Sequence, residues 1–125
     1  MTGTLDIELD GGQTECRPGE DLTGTVRWLF DDRPDKVELR LFWYTRGKGD
    51  EDTGLAENLT FESPAPSETR TFRFALPNGP YSFSGRLISL IWAVEAVAEP
   101  GDHVARVEFT LSPTGREVML GNRSA

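Results

Sequence analysis

The chain has 125 residues, with 13 Lys plus Arg against 21 Asp plus Glu, a formal charge of −8 at pH 7. Hydrophobic residues make up 37% and charged residues 27%, a globular composition with length for one domain and its own core. The acidic balance argues against nucleic acid and anionic membrane surfaces as partners, and the single cysteine, Cys16, excludes an internal disulfide framework.

The first twelve residues, MTGTLDIELDGG, lack the basic and apolar regions of a signal peptide, so a cytoplasmic location is expected. Within them Leu5, Ile7 and Leu9 alternate with Asp6 and Glu8, the period of a half-buried strand. RPGED at 17–21 is turn chemistry, with Pro18 fixing φ and Gly19 free to take a positive one. Leu22, Gly24, Val26, Trp28 and Phe30 then share one face of a second strand, and DDRPD at 31–35 ends it. Val37, Leu39, Leu41 and Trp43 alternate with Glu38 and Arg40 in a third. The polar loop GKGDEDTG precedes a fourth strand at 55–62, and SPAPSE breaks the chain again. Phe72, Phe74 and Leu76 mark a fifth. LPNGPYSFSG then feeds a nearly apolar run, too short and too interrupted by Ser89 and Glu95 to cross a bilayer, so no membrane insertion is expected. Ala105, Val107, Phe109 and Leu111 complete a seventh strand.

Seven strands at regular spacing without a helical crossover predict an all-β, immunoglobulin-like antiparallel sandwich, although a closed barrel shows the same alternation. The domain is expected over residues 1–112, with a C-terminal tail at 113–125. The stretch from Leu76 must leave one sheet and join the other before Leu87. Pro77 and Pro80 stiffen that crossing and cannot donate to a ladder. Phe83 is placed to plug the open end of the sandwich, and Gly85 relieves crowding at the turn.

Two stretches together resemble the arrestin-like domain family. RPGEDLTGTVRW resembles its PGE-x-x-x-G-x-V pattern, and TFRFALPNGPYSFSGRLISLIWAVEA resembles its F-x-F-x-L-P…P-x-S-F-x-G…I-x-W/Y-x-V-x-A segment. The matching residues are Pro18, Gly19, Glu20, Gly24, Phe72, Phe74, Leu76, Pro77, Pro80, Ser82, Phe83, Gly85 and Trp92, in order across residues 15–98. The resemblance implies an immunoglobulin-like sandwich, as in arrestins, retromer's cargo-binding subunit and bacterial sporulation-control relatives. It also implies an adaptor or scaffold without catalytic residues. Those proteins usually pair two sandwiches, and this sequence has length for one. The charged buried network of visual-type arrestins has no counterpart here, so phosphate sensing does not carry over.

Catalytic patterns are sparse. Ser82, Ser84 or Cys16 as nucleophile has only His103, the sole histidine, as a base, and nothing in the spacing recommends the pairing. One Cys and one His make no zinc site. Asp50 and Asp52, with Glu51, form a weak calcium pattern at a hairpin tip that fails the EF-hand spacing. Trp28, Trp43 and Trp92 fall on inward faces, which favours core packing over a sugar platform. More informative are apolar residues that alternation turns outward: Phe42 and Tyr44 on the third strand, Ile91, Ala93 and Val97 on the sixth. These two strands neighbour each other in such a sandwich, so a contact surface is expected at Phe42, Tyr44, Ile91 and Val97, unless loops or the tail cover it.

The expected function is therefore a non-enzymatic adaptor or scaffold without cofactors. It presents a sheet face or edge to a protein partner or to a second copy. The alternative is a ligand-binding module for calcium or carbohydrate that uses the acidic loops.

Overall fold

Residues 1–12, 14–49, 51–101, 103–114 and 118–119 are described by a computed structural model. In chain order its strands are β1 (Gly3–Leu9), β2 (Glu15–Cys16), β3 (Asp21–Phe30), β4 (Lys36–Gly47), β5 (Thr53–Phe61), β6 (Ser67–Ala75), β7 (Phe83–Ser84), β8 (Ile88–Glu99), β9 (His103–Leu111) and β10 (Val118–Met119). The seven long ones are the seven expected, and a 3-10 turn at Asp10–Gly12 is the one helical element among the described residues. Two sheets result, which decides for a sandwich over a closed barrel. The smaller runs β1-β3-β6, all antiparallel. The larger runs β5-β4-β8, and the far edge of β8 is shared: β7 takes residues 89–90 and β9 takes residues 92–98. Short parallel pairings attach β2 to β9 and β10 to β7. In the expected tail, residues 115–117 and 120–125 lie outside the described residues.

Alternation places the core between the sheets. Leu22, Val26, Trp28, Phe30, Phe72 and Phe74 from the smaller sheet meet Val37, Leu39, Leu41, Trp92, Val94 and Leu111 from the larger. Trp28 tilts against Phe61 and Trp92 against Phe109, with centroids 5.9 and 6.0 Å apart. Each buried indole also finds an acceptor, as a buried polar group must. Trp28 Nε1 donates to Ala65 O at 2.8 Å and Trp92 Nε1 to Pro80 O at 2.6 Å.

The two motif stretches meet in space. Gly19, at φ +82°, donates its N–H to Leu76 O at 3.1 Å, and Leu76 returns one to Glu20 O at 2.9 Å. Glu20 also accepts from Arg17 N, at 2.6 Å, which closes the RPGED turn on itself. Gly24 pairs with Phe72, and a Cβ at Gly24 would lie 2.5 Å from that ring and 2.4 Å from Glu8 O. The crossing from β6 to β7 carries the chain from the smaller sheet to the larger, over a cis Gly79–Pro80 peptide. Phe83 packs partly buried against the core, and Ser82 ties the crossing to the end of β9. Its N–H donates to Leu111 O at 2.7 Å, and its Oγ accepts from Leu111 N at 2.9 Å.

Candidate interaction surface on the larger sheet

The outward residues of β4, β8 and β9 form a continuous surface, because the three strands are in register. Arg40 pairs with Glu95 and Glu95 with Arg106; Phe42 pairs with Ala93 and Ala93 with Glu108; Tyr44 pairs with Ile91; Glu38 pairs with Val97 and Val97 with Val104. The structure thus brings Phe42, Tyr44, Ile91 and Val97 onto one face, each of them half-buried. Ala93, between them, is fully covered.

What covers this face is charge from neighbouring strands. The Phe42 and Tyr44 rings stack with centroids 6.0 Å apart, and the Arg106 guanidinium lies over both, 5.1 and 5.2 Å from their centroids. Glu95 holds Arg106 there through contacts of 2.6 and 3.0 Å from Nη2 and Nε. The hydrogen bond to Glu95 outweighs the partial desolvation of Arg106 and keeps the guanidinium more firmly protonated than usual. The Tyr44 hydroxyl donates to Glu108 and accepts from Arg46 at 2.8 Å. The apolar patch expected from alternation is therefore an aromatic pair roofed by an ionic network. Arginine stacked on aromatic rings beside carboxylates is a mixed apolar and polar surface, the composition of protein contact sites.

Toward β5 the face becomes a groove of about 590 Å³ lined by Glu38, Phe42, Leu55, Asn58 and Arg106, among others. Glu38 is 7% exposed, with Arg40 Nε at 2.6 Å and Lys36 Nζ at 3.2 Å. Burial works against its charge, but the two cations outweigh burial and hold its carboxyl below the usual range. A second, polar cleft of about 350 Å³ opens where β8 changes partner, lined by Glu15, Arg46, Ser82, Ser89 and Glu108 among others.

The other candidates are dispersed. Ser82 is buried and engaged with Leu111, at the end of β9. His103 lies at the start of that strand, about 25 Å away at strand rise. There its Nε2 meets Met1 O at 3.0 Å and its ring packs on Phe30. Cys16 pairs beside Leu111, fully buried, and burial followed by the Glu20 charge pushes its thiol up to about 11. Neither nucleophile is brought to the histidine. Asp50 lies outside the described residues. Asp52 closes the β4–β5 turn by backbone contacts with Thr45, and no group of three His, Cys, Asp or Glu gathers among the described residues. Trp28 and Trp92 are in the core, and Trp43 is half-buried with its indole over Gly54, so the three do not share an exposed platform. Among the described residues no helix is long and apolar enough to cross a membrane.

Sequence reasoning missed the Arg106 roof, although a signal was present. Arg106 and Glu108 fall on the outward parity of a strand next to β8, and Glu95 falls on that of β8 itself.

No family model and no curated protein matches the chain. Among solved structures it is similar to the sporulation control protein Spo0M from Bacillus subtilis, with a TM-score of 0.64 and 15% identity over 89% of this chain and 49% of that one. It is also similar to part of a mutant beta-glucosidase from Listeria innocua in complex with laminaribiose. There the TM-score is 0.50 and the identity 16%, over 93% of this chain and 16% of that one. The chain spans about half the length of Spo0M. Identities this low speak to fold alone, and the fold they support is an all-β, arrestin-like sandwich.

Proposed function

We propose that this domain is a non-enzymatic adaptor or scaffold of the arrestin-like kind, acting in the cytoplasm through the outward face of its larger sheet. The observation that carries the reading is the Phe42–Tyr44 pair under Arg106, set among Ile91, Val97 and the Glu95 and Glu108 carboxylates. Such a face offers stacked aromatic area at its centre and orienting charges around it, the division of labour of a protein contact. The fold shared with a sporulation control protein is consistent with a regulatory role. The partner is another protein or a second copy of the chain.

The test is solution mass by light scattering, for wild type and for a Phe42→Asp/Ile91→Asp variant checked for native fold. A dimer that the variant reduces to a folded monomer supports self-contact through this face. A dimer that the variant leaves intact removes the face from self-association. For a wild-type monomer, the same variant is carried into partner capture.

A further inference from the structure

We infer that the free edge of β5 receives an extended, lysine- or arginine-bearing segment of a partner protein as an added strand, paired along residues 57–61. This rests on the protein-interaction reading above and names a second surface and the chemistry of what binds there. Among the described residues β5 hydrogen-bonds to β4 alone, so alternate N–H and C=O groups along its other side have no strand partner there. Proteins guard such edges with lysine, proline, bulges or a covering segment. β5 has neither lysine nor proline, and its single charge is Glu57. A register shift between Leu41 and Phe42 leaves Ala56 as an extra residue. Beyond it, residues 57–61 run unbroken opposite 37–41, with Leu59 36% exposed. The other outer strands are protected. β6 carries Glu68, Arg70 and Arg73, and β1 lies against β9.

Charge selects the occupant. Residues 51–62 contain Glu51, Asp52, Glu57 and Glu62 and no Lys or Arg. Glu57 and Glu62 are exposed at the two ends of the unbroken stretch. A second copy fits poorly. Two-fold pairing centred on Leu59 would set Glu57 of each chain opposite Phe61 of the other, with no cation to meet it, and would join two molecules of charge −8. A basic strand meets the same carboxylates with opposite sign. Its apolar side chains would take the groove side, beside Asn58, Leu55 and Phe42, where Arg40 and Arg106 are already paired with Glu38 and Glu95, and its cations the other side, beside Glu57.

The probe is a fluorescein-labelled heptapeptide of alternating lysine and valine, titrated into the full chain at physiological salt and followed by anisotropy and by amide exchange. Binding is expected to slow exchange within residues 57–61. An analogue with alternate backbone N-methyl groups keeps the charges but loses the ladder donors, and should bind at least about tenfold more weakly. The exposed pair change Glu57→Lys/Glu62→Lys should weaken the parent peptide about fivefold or more while leaving the fold intact. Three results would overturn the inference: no binding of the lysine peptide, equal binding of its N-methylated form, or a peptide-free dimer whose 57–61 amides are already protected. None of these touches Phe42 or Ile91, so failure here leaves the outward-face reading to its own test.

Discussion

Replacing Gly24 by alanine tests the packing that joins the two motif stretches. Gly24 sits in the central strand of the smaller sheet, opposite Leu9 on one side and Phe72 on the other. An added Cβ would meet Glu8 O at 2.4 Å and the Phe72 ring at 2.5 and 2.8 Å, where ordinary contact is about 3.5–4 Å. One neighbour is a backbone carbonyl, so rotation of the ring alone cannot relieve the clash. Overpacking of this kind costs about 1–3 kcal/mol, offset by about 0.4–1 kcal/mol from the stiffer unfolded chain. The expected net loss is about 1–2 kcal/mol, a fall in Tm of roughly 5–10 °C for a domain of this size. Urea unfolding followed by tryptophan emission should show a lower midpoint at unchanged slope. In a Phe72→Leu background the same substitution should cost less, with coupling of at least about 0.5 kcal/mol. A Gly24→Ala protein as stable as wild type would refute the close approach of the three strands.

Other outcomes follow from the same contacts. Glu38 contributes stability while ionised, so that contribution is complete above about pH 4.3 and is lost as pH falls through the lower folded value. Glu38→Gln should flatten the acid limb of the stability profile, and an unchanged limb would place the carboxylate away from Arg40 and Lys36. Cys16 should resist a thiol reagent in the native state and react only at the rate of unfolding, because it is fully buried with its pKa at about 11; fast native labelling would contradict that burial. Arg106→Met should leave Glu95 without its cation and bare the aromatic pair. The stability cost is about 1–3 kcal/mol, because the Glu95 side chain, 14% exposed, loses its partner, with increased binding of an apolar dye. No change in dye binding would mean that the guanidinium does not cover the rings.

Much of this fold was legible in the sequence because period-two alternation and turn residues are local signals. Leu22 to Phe30 read directly as one buried face, and Gly19, Pro77 and Pro80 read as the points where the chain leaves a sheet. The two-residue strands β2, β7 and β10 were not legible, because they exist through pairing with distant segments and carry no period of their own. The aromatic face was readable strand by strand. Its cover was not, since Arg106 reaches the Phe42 and Tyr44 rings only after β9 is set beside β8. The open edge of β5 was equally hidden. Thr53–Phe61 looks like any other strand until the sheet order leaves it with one neighbour.

The most direct test of the contact surface is quantitative capture from extract of the native cell with three baits: wild type, Phe42→Asp/Ile91→Asp, and Thr71→Asp. Thr71 is exposed on the outward face of the smaller sheet, so the third bait controls for an added charge elsewhere. Contact through the outward face requires at least one protein retained by wild type and by Thr71→Asp, and lost from the double variant while that variant keeps its native melting transition. Identical capture by all three folded baits would contradict it.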